Sequence, residues 1–200
     1  VMCREMQMGI AVAQLALVDS GLALSEANRD RIGVVYGTDH MLTVPQEFTA
    51  GVRNCVDAEG RFQFTEWGEQ GLTATEPLWL LKYLPNLPAS HISIFNDLRG
   101  PNNSLTMREA AGNLAVAEAA MTISRGHADA MLAGATGSWI HPIRTLDAVL
   151  AQEIATGDGE PARVSRPFDR DRRGAVVGEG AAALMLEELA FSQARGATIW

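Results

Sequence analysis

Two short runs constrain this chain more than anything else in it. Arg31-Ile32-Gly33-Val34-Val35-Tyr36 and Ala128-Asp129-Ala130-Met131-Leu132-Ala133-Gly134 are apolar or small at nearly every position rather than at alternate ones. A strand that alternates buries one face, whereas a strand apolar throughout buries both. Such strands need a sheet covered on each side, and the segments between them carry helical periodicity that supplies the cover. The expectation is an α/β layered fold with a mostly parallel sheet flanked by helices, read as a single domain over residues 1–200.

The remaining elements follow from spacing and punctuation. A helix is expected from about Met2 to Asp19, with Met2, Met6, Ala13 and Leu17 near one face and Gly21 beyond its end. Residues 38–75 are polar and glycine-punctuated by Gly51, Gly60, Gly68 and Gly71, an irregular excursion with short helices. Pro77, Pro85 and Pro88 break the next segment before a helix at Ser90–Leu98, which leads to Gly100-Pro101. A strand at Asn103–Met107 then runs into a helix from Arg108 to Arg125, with Ala110, Leu114, Ala117 and Met121 as its apolar stripe. A helix over Ile143–Gln152, a polar turn around Gly157-Asp158-Gly159, a strand at Gly180–Glu187 and a helix over Leu189–Arg195 complete the reading.

Composition removes several function classes. The formal charge is −8, from 16 basic and 24 acidic residues, and no long basic run is present. That argues against a nucleic-acid surface and a polybasic membrane patch. Two cysteines, Cys3 and Cys55, leave no disulfide framework or CxxC metal site, so a reducing, cytoplasmic setting is expected. No apolar run approaches the roughly 18 residues of a membrane span. The chain opens on Val1 inside a helical pattern and so reads as a piece of a longer protein.

Chemistry concentrates in Arg99-Gly100-Pro101-Asn102-Asn103-Ser104-Leu105-Thr106-Met107-Arg108-Glu109-Ala110-Ala111-Gly112. A strand entering a helix through a tight turn is where many acyl-transfer enzymes mount a nucleophile, because the N-terminal dipole and free N–H groups favour an anion there. Two other blocks accompany it, from Arg125 to Ala135 and from Ser165 to Ala181, the latter reading Ser165-Arg166-Pro167-Phe168-Asp169-Arg170-Asp171-Arg172-Arg173-Gly174 and ending in Gly178-Glu179-Gly180-Ala181. Together the three blocks resemble the β-ketoacyl-[acyl-carrier-protein] synthases of fatty-acid and polyketide synthesis. The likeness covers nearly the whole chain from Met2 to Trp200 and corresponds to most of the N-terminal half of such an enzyme.

The resemblance implies a thiolase-like layered fold, cut short here and without its central first strand. It implies acyl-carrier-protein and acyl or malonyl thioesters as partners, with no cofactor or metal. It also implies a homodimer, or a heterodimer with a cysteine-bearing ketosynthase, joined through the edge strand before the turn. In that family the turn carries a cysteine that accepts the acyl chain, and two histidines further on assist decarboxylation of a malonyl unit. Here the corresponding residues read Met107-Arg108-Glu109, so Glu109 stands where the nucleophile belongs and Arg108 where a small residue does. Counting from Gly100-Pro101 and back from Gly112 gives the same register. His40, His91, His127 and His141 match neither family histidine and are expected at surface or supporting positions.

Two readings of Glu109 stand open. Thr106-Met107-Arg108-Glu109 fits a capping box, a structural role worth roughly 0.5–2 kcal/mol. The alternative makes the carboxylate a stand-in for an acylated cysteine, as in chain-length-factor or decarboxylating members, whereas full condensation through a mixed anhydride is unfavourable. The protein is accordingly expected to be a non-condensing ketosynthase-family member, or an inactive interaction protein that keeps the dimer surface. Other constellations carry less. Gly134-Ala135-Thr136-Gly137 and Gly178-Glu179-Gly180 lack the rest of a dinucleotide fingerprint. Asp169–Arg173 is expected to pair internally, and Trp67, Trp79, Trp139 and Trp200 are too dispersed for a stacking platform.

Overall fold

In a computed structural model, which describes residues 2–155 and 160–200, the chain divides into two compact units. The turn expected at Gly157-Asp158-Gly159 lies outside the described residues. The first unit comprises Val1–Met41, Lys82–Gly137 and Gly180–Trp200, and the second Leu42–Leu81 and Ser138–Glu179.

The sheet orders its strands β2-β1-β3-β4, with β1 at Ile32–Thr38, β2 at Asn102–Thr106, β3 at Ala130–Ser138 and β4 at Glu179–Glu187. β1 pairs in parallel with β2 on one side and β3 on the other. β4 runs against β3: Glu188 N–H donates to Asp129 O, while Ala182 O lies over Gly134. All seven residues of β1 are buried, as its unbroken apolar run requires.

Helix α1 (Arg4–Asp19) buries Met6, Gly9, Ala13 and Leu17, the expected stripe with Gly9 added and the exposed Met2 removed. Two hydroxyls from the sheet hold it. Tyr36 Oη donates to Gly9 O at 3.0 Å and Thr136 Oγ1 donates to Glu5 O at 2.8 Å, one helical turn apart. A Cβ at position 9 would meet both residues at 3.2 Å, so glycine sets how closely α1 approaches. Behind it, α3 (Leu87–Asn96) starts earlier than its expected Ser90, because Pro88 sits in the first turn, where its missing N–H has no helical partner to lose. Asp97 at φ +52° closes that helix.

On the opposite face lies α4 (Ala111–Ser124), and here the expected stripe is wrong. Ala111, Ala115, Ala119 and Thr122 are buried, whereas Ala110, Leu114, Ala117 and Met121 are exposed. The reason is proximity. A Cβ on Gly37 of β1 would lie 2.5 Å from the backbone of Ala111 and 2.9 Å from Gly112 N, so the helix rides directly on the strand. Only small side chains fit beneath it, and the larger apolar ones turn outward. Beyond α4, Gly126 at φ +72° ends the helix, and Arg31 ties the following residues down through Asp129 at 2.6 Å and Gly126 O at 2.9 Å. α6 (Leu189–Ala194) follows β4 as expected.

The second unit holds α2 (Thr49–Asn54) and α5 (Pro142–Leu150) with several single-turn helices, in keeping with the irregular excursion. Among the described residues no two of the tryptophans stack on each other, although phenylalanines join two of them. Phe48 meets Trp67 and Trp79 edge-on, at ring-centroid separations of 6.0 and 4.8 Å, and Phe62 lies 6.1 Å from Trp67. Residues far apart in sequence thus form one partly exposed aromatic cluster, joined edge-on rather than stacked. Among the described residues no helix is long and apolar enough to cross a membrane.

Candidate active site

β2 enters α4 through a turn built on one unusual torsion. β2 ends at Thr106, Met107 follows at φ −133°, and Arg108 takes φ +50°, the left-handed region that non-glycine residues rarely occupy. Ala110 N–H then donates to Met107 O at 3.1 Å, closing a single 3-10 turn over Arg108–Ala110 before α4 begins. Glu109 is the middle residue of that turn. Its side chain is exposed and has no hydrogen-bond or ion-pair partner among the described residues.

This geometry corrects the capping-box reading. Thr106 belongs to β2, the residue before the turn is Met107, and no side chain caps it. The chain changes direction through the left-handed torsion at Arg108, so threonine and glutamate never reach each other's N–H groups. The Glu109 carboxylate is left at the positive end of a 14-residue helix, where a negative charge gains about 0.3–1 kcal/mol. It presents two acceptor oxygens to an open surface.

The two thiols are elsewhere. Cys3 precedes α1 with Sγ 3.6 Å from Met41 Sδ, and burial pushes its pKa up to about 11, which disfavours the thiolate a nucleophile needs. Cys55 is fully buried in the second unit. Of the histidines, His40 and His127 are exposed and His91 is half-buried. His141 is not at the surface: it is buried, and its Nδ1 accepts from Ile143 N–H at 3.2 Å, capping α5. Its place before Pro142 was the only cue to that role.

The alternating run Asp169–Arg173 pairs internally as expected, but through hydrogen bonds rather than ion pairs. Asp169 Oδ1 accepts from Asp171 N–H at 2.7 Å and Arg172 donates to Asp169 O at 3.1 Å. The aspartate thus makes a local turn, and no ion pair forms within the run among the described residues. Also among the described residues, no group of three or more His, Cys, Asp and Glu side chains is placed to hold a metal.

The chain's relatives share this architecture. The family described as "Beta-ketoacyl synthase, N-terminal domain" matches residues 1–192. A 3-oxoacyl-[acyl-carrier-protein] synthase 2 of Vibrio cholerae is 34% identical over 199 residues, 97% of this chain and 44% of that protein. The crystal structure of a β-ketoacyl synthase from Burkholderia phymatum superposes with a TM-score of 0.77 at 31% identity, over 99% of this chain and 45% of that one. The ishigamide ketosynthase/chain length factor matches with a TM-score of 0.72 at 26% identity, over 99% and 44% of the two chains. The chain therefore spans less than half the length of these relatives. A sheet whose two central strands are buried on both faces, a tight strand-to-helix turn and sequence likeness along nearly its whole length lead to one conclusion: this chain belongs to the β-ketoacyl synthase family, as its N-terminal domain.

Proposed function

We propose that the protein containing this chain is a non-condensing ketosynthase-family member acting on acyl-carrier-bound thioesters, with Glu109 in the place of the nucleophile. One observation carries the reading: the exposed, unpartnered Glu109 carboxylate at the head of α4, where a structural cap would have engaged it. Carboxylate attack on a thioester would expel a thiolate and form a mixed anhydride, less stable than the thioester it replaces. Glu109 serves instead as an anion at the head of α4 beside the acyl group, or as a residue retained after condensation was lost. The names of the relatives supply the substrate class, and the chain length factor among them supports a partner role.

On the same reading the protein pairs through the open edge of β2, the outermost strand of the sheet. The partner brings the cysteine that this chain lacks at the turn. The test is carbon dioxide release from a malonyl-carrier substrate by the full-length protein, as wild type and as Glu109→Ala. Release that falls at least tenfold in Glu109→Ala supports an active role for the carboxylate. No release from either protein contradicts it and leaves an interaction protein.

A further inference from the structure

The edge of β2 is not uniformly open. Val34 N–H donates to Pro101 O, and Val34 stands opposite Asn102 in the parallel register. In a parallel pair the residues on either side of that partner turn their backbone groups inward, so Pro101, Asn103 and Leu105 face β1. Asn102, Ser104 and Thr106 direct theirs to the free edge. At the middle of that edge the Ser104 N–H is already taken: Asn103 Oδ1 accepts from it at 2.8 Å.

The position of this bond matters for self-association. When two copies of β2 lie antiparallel about a two-fold axis at Ser104, the two Ser104 residues oppose each other and exchange both N–H···O bonds. Asn102 of each copy then faces Thr106 of the other. The central pair forms only after both Asn103 side chains have let go. Asn102 has no such freedom, since its amide donates to Ser93 Oγ at 2.5 Å and to Ala89 O at 3.3 Å and anchors the strand to α3. A strand from a different chain displaces one Asn103 contact, whereas a second copy displaces two.

We propose that Asn103 is a specificity determinant of the β2 edge, disfavouring a second copy of this chain and leaving the edge to a strand from a different one. The inference rests on the reading that β2 is the pairing edge. Short, polar, self-satisfied edge strands are a general device against unwanted pairing, and Asn103 supplies it with one carboxamide.

Sedimentation equilibrium of the full-length protein tests this. Asn103→Ala frees both Ser104 N–H groups and is expected to tighten self-association by about tenfold or more, the value of two modest hydrogen bonds. Asn103→Asp keeps the acceptor oxygen and is expected to bring no tightening. Thr106→Pro removes an outward N–H from an edge strand, a place where proline is tolerated, and is expected to abolish the association in the Asn103→Ala background. Circular dichroism verifies that each variant is folded. If Thr106→Pro abolishes association but Asn103→Ala leaves it unchanged, the specificity role falls while the pairing edge stands. If neither wild type nor Asn103→Ala associates, the specificity role likewise falls; if association persists in the double variant, the pairing edge and the inference fall together.

Discussion

Arg108 holds a torsion that arginine rarely adopts, and it does so beside the residue on which the functional reading depends. A non-glycine residue at φ +50° costs of order 1–2 kcal/mol, offset by the packing of β2 and α4 on either side. Sequence gave no cue to it, because arginine has no preference for that region. The proposed register of Glu109 rests on counting between Gly100-Pro101 and Gly112, whereas the capping alternative, equally apparent in the sequence, is not formed in the fold. Local pattern matched a cap, and the backbone decided otherwise. Another single residue makes a sharper prediction. Burial pushes the Tyr36 hydroxyl's pKa well above its ordinary value, and its proton is engaged with Gly9 O. A raised acid stabilises the fold fully below its unfolded pKa, about 10, and loses that contribution as pH rises toward the folded value. Tyr36→Phe is expected to cost about 1 kcal/mol at neutral pH. In urea unfolding, the variant's stability is expected to fall less steeply than wild type above about pH 10. Cys3, also raised by burial, titrates in both proteins, so the difference between the curves belongs to Tyr36.

At the scale of elements, the strands were the most legible part. β1 and β3 were apparent from unbroken apolar runs, and their ends fell within two residues of expectation on all but one boundary: β3 continues to Ser138, through the Gly134-Ala135-Thr136-Gly137 segment. Helix faces were less legible. The α4 stripe was assigned to the larger apolar residues, but close approach to Gly37 reverses the preference and puts alanines inside. Contacts between elements remote in sequence decide such faces, and periodicity within one helix carries no record of them. Gly37→Ala therefore tests the seating of α4. Its new methyl has no room against Ala111, and the expected loss is about 3 kcal/mol in urea unfolding. Gly137→Ala, where a Cβ meets nothing within 4 Å, is the control and is expected to change stability by less than about 0.5 kcal/mol. Equal effects at the two positions would contradict the close-packing account.

For the whole molecule, the fold class and family were readable from three blocks of sequence, while the division into two compact units was not. The aromatic cluster of Phe48, Trp67 and Trp79 likewise appears only in three dimensions. Exposed apolar side chains along α4, Leu114 and Met121 among them, and at the end of α3, Ile94 and Phe95, complete the surface of a chain less than half as long as its relatives. The central claim is that Glu109 occupies the nucleophile's place in a protein that no longer condenses. Mass spectrometry of the full-length protein after incubation with an acyl thioester donor tests it most directly, comparing wild type with Glu109→Cys. The account predicts no acyl adduct on wild type and one acyl group on the variant, located in the peptide that contains position 109. An adduct on Cys3 or Cys55 of wild type, or none on the folded variant, would contradict it.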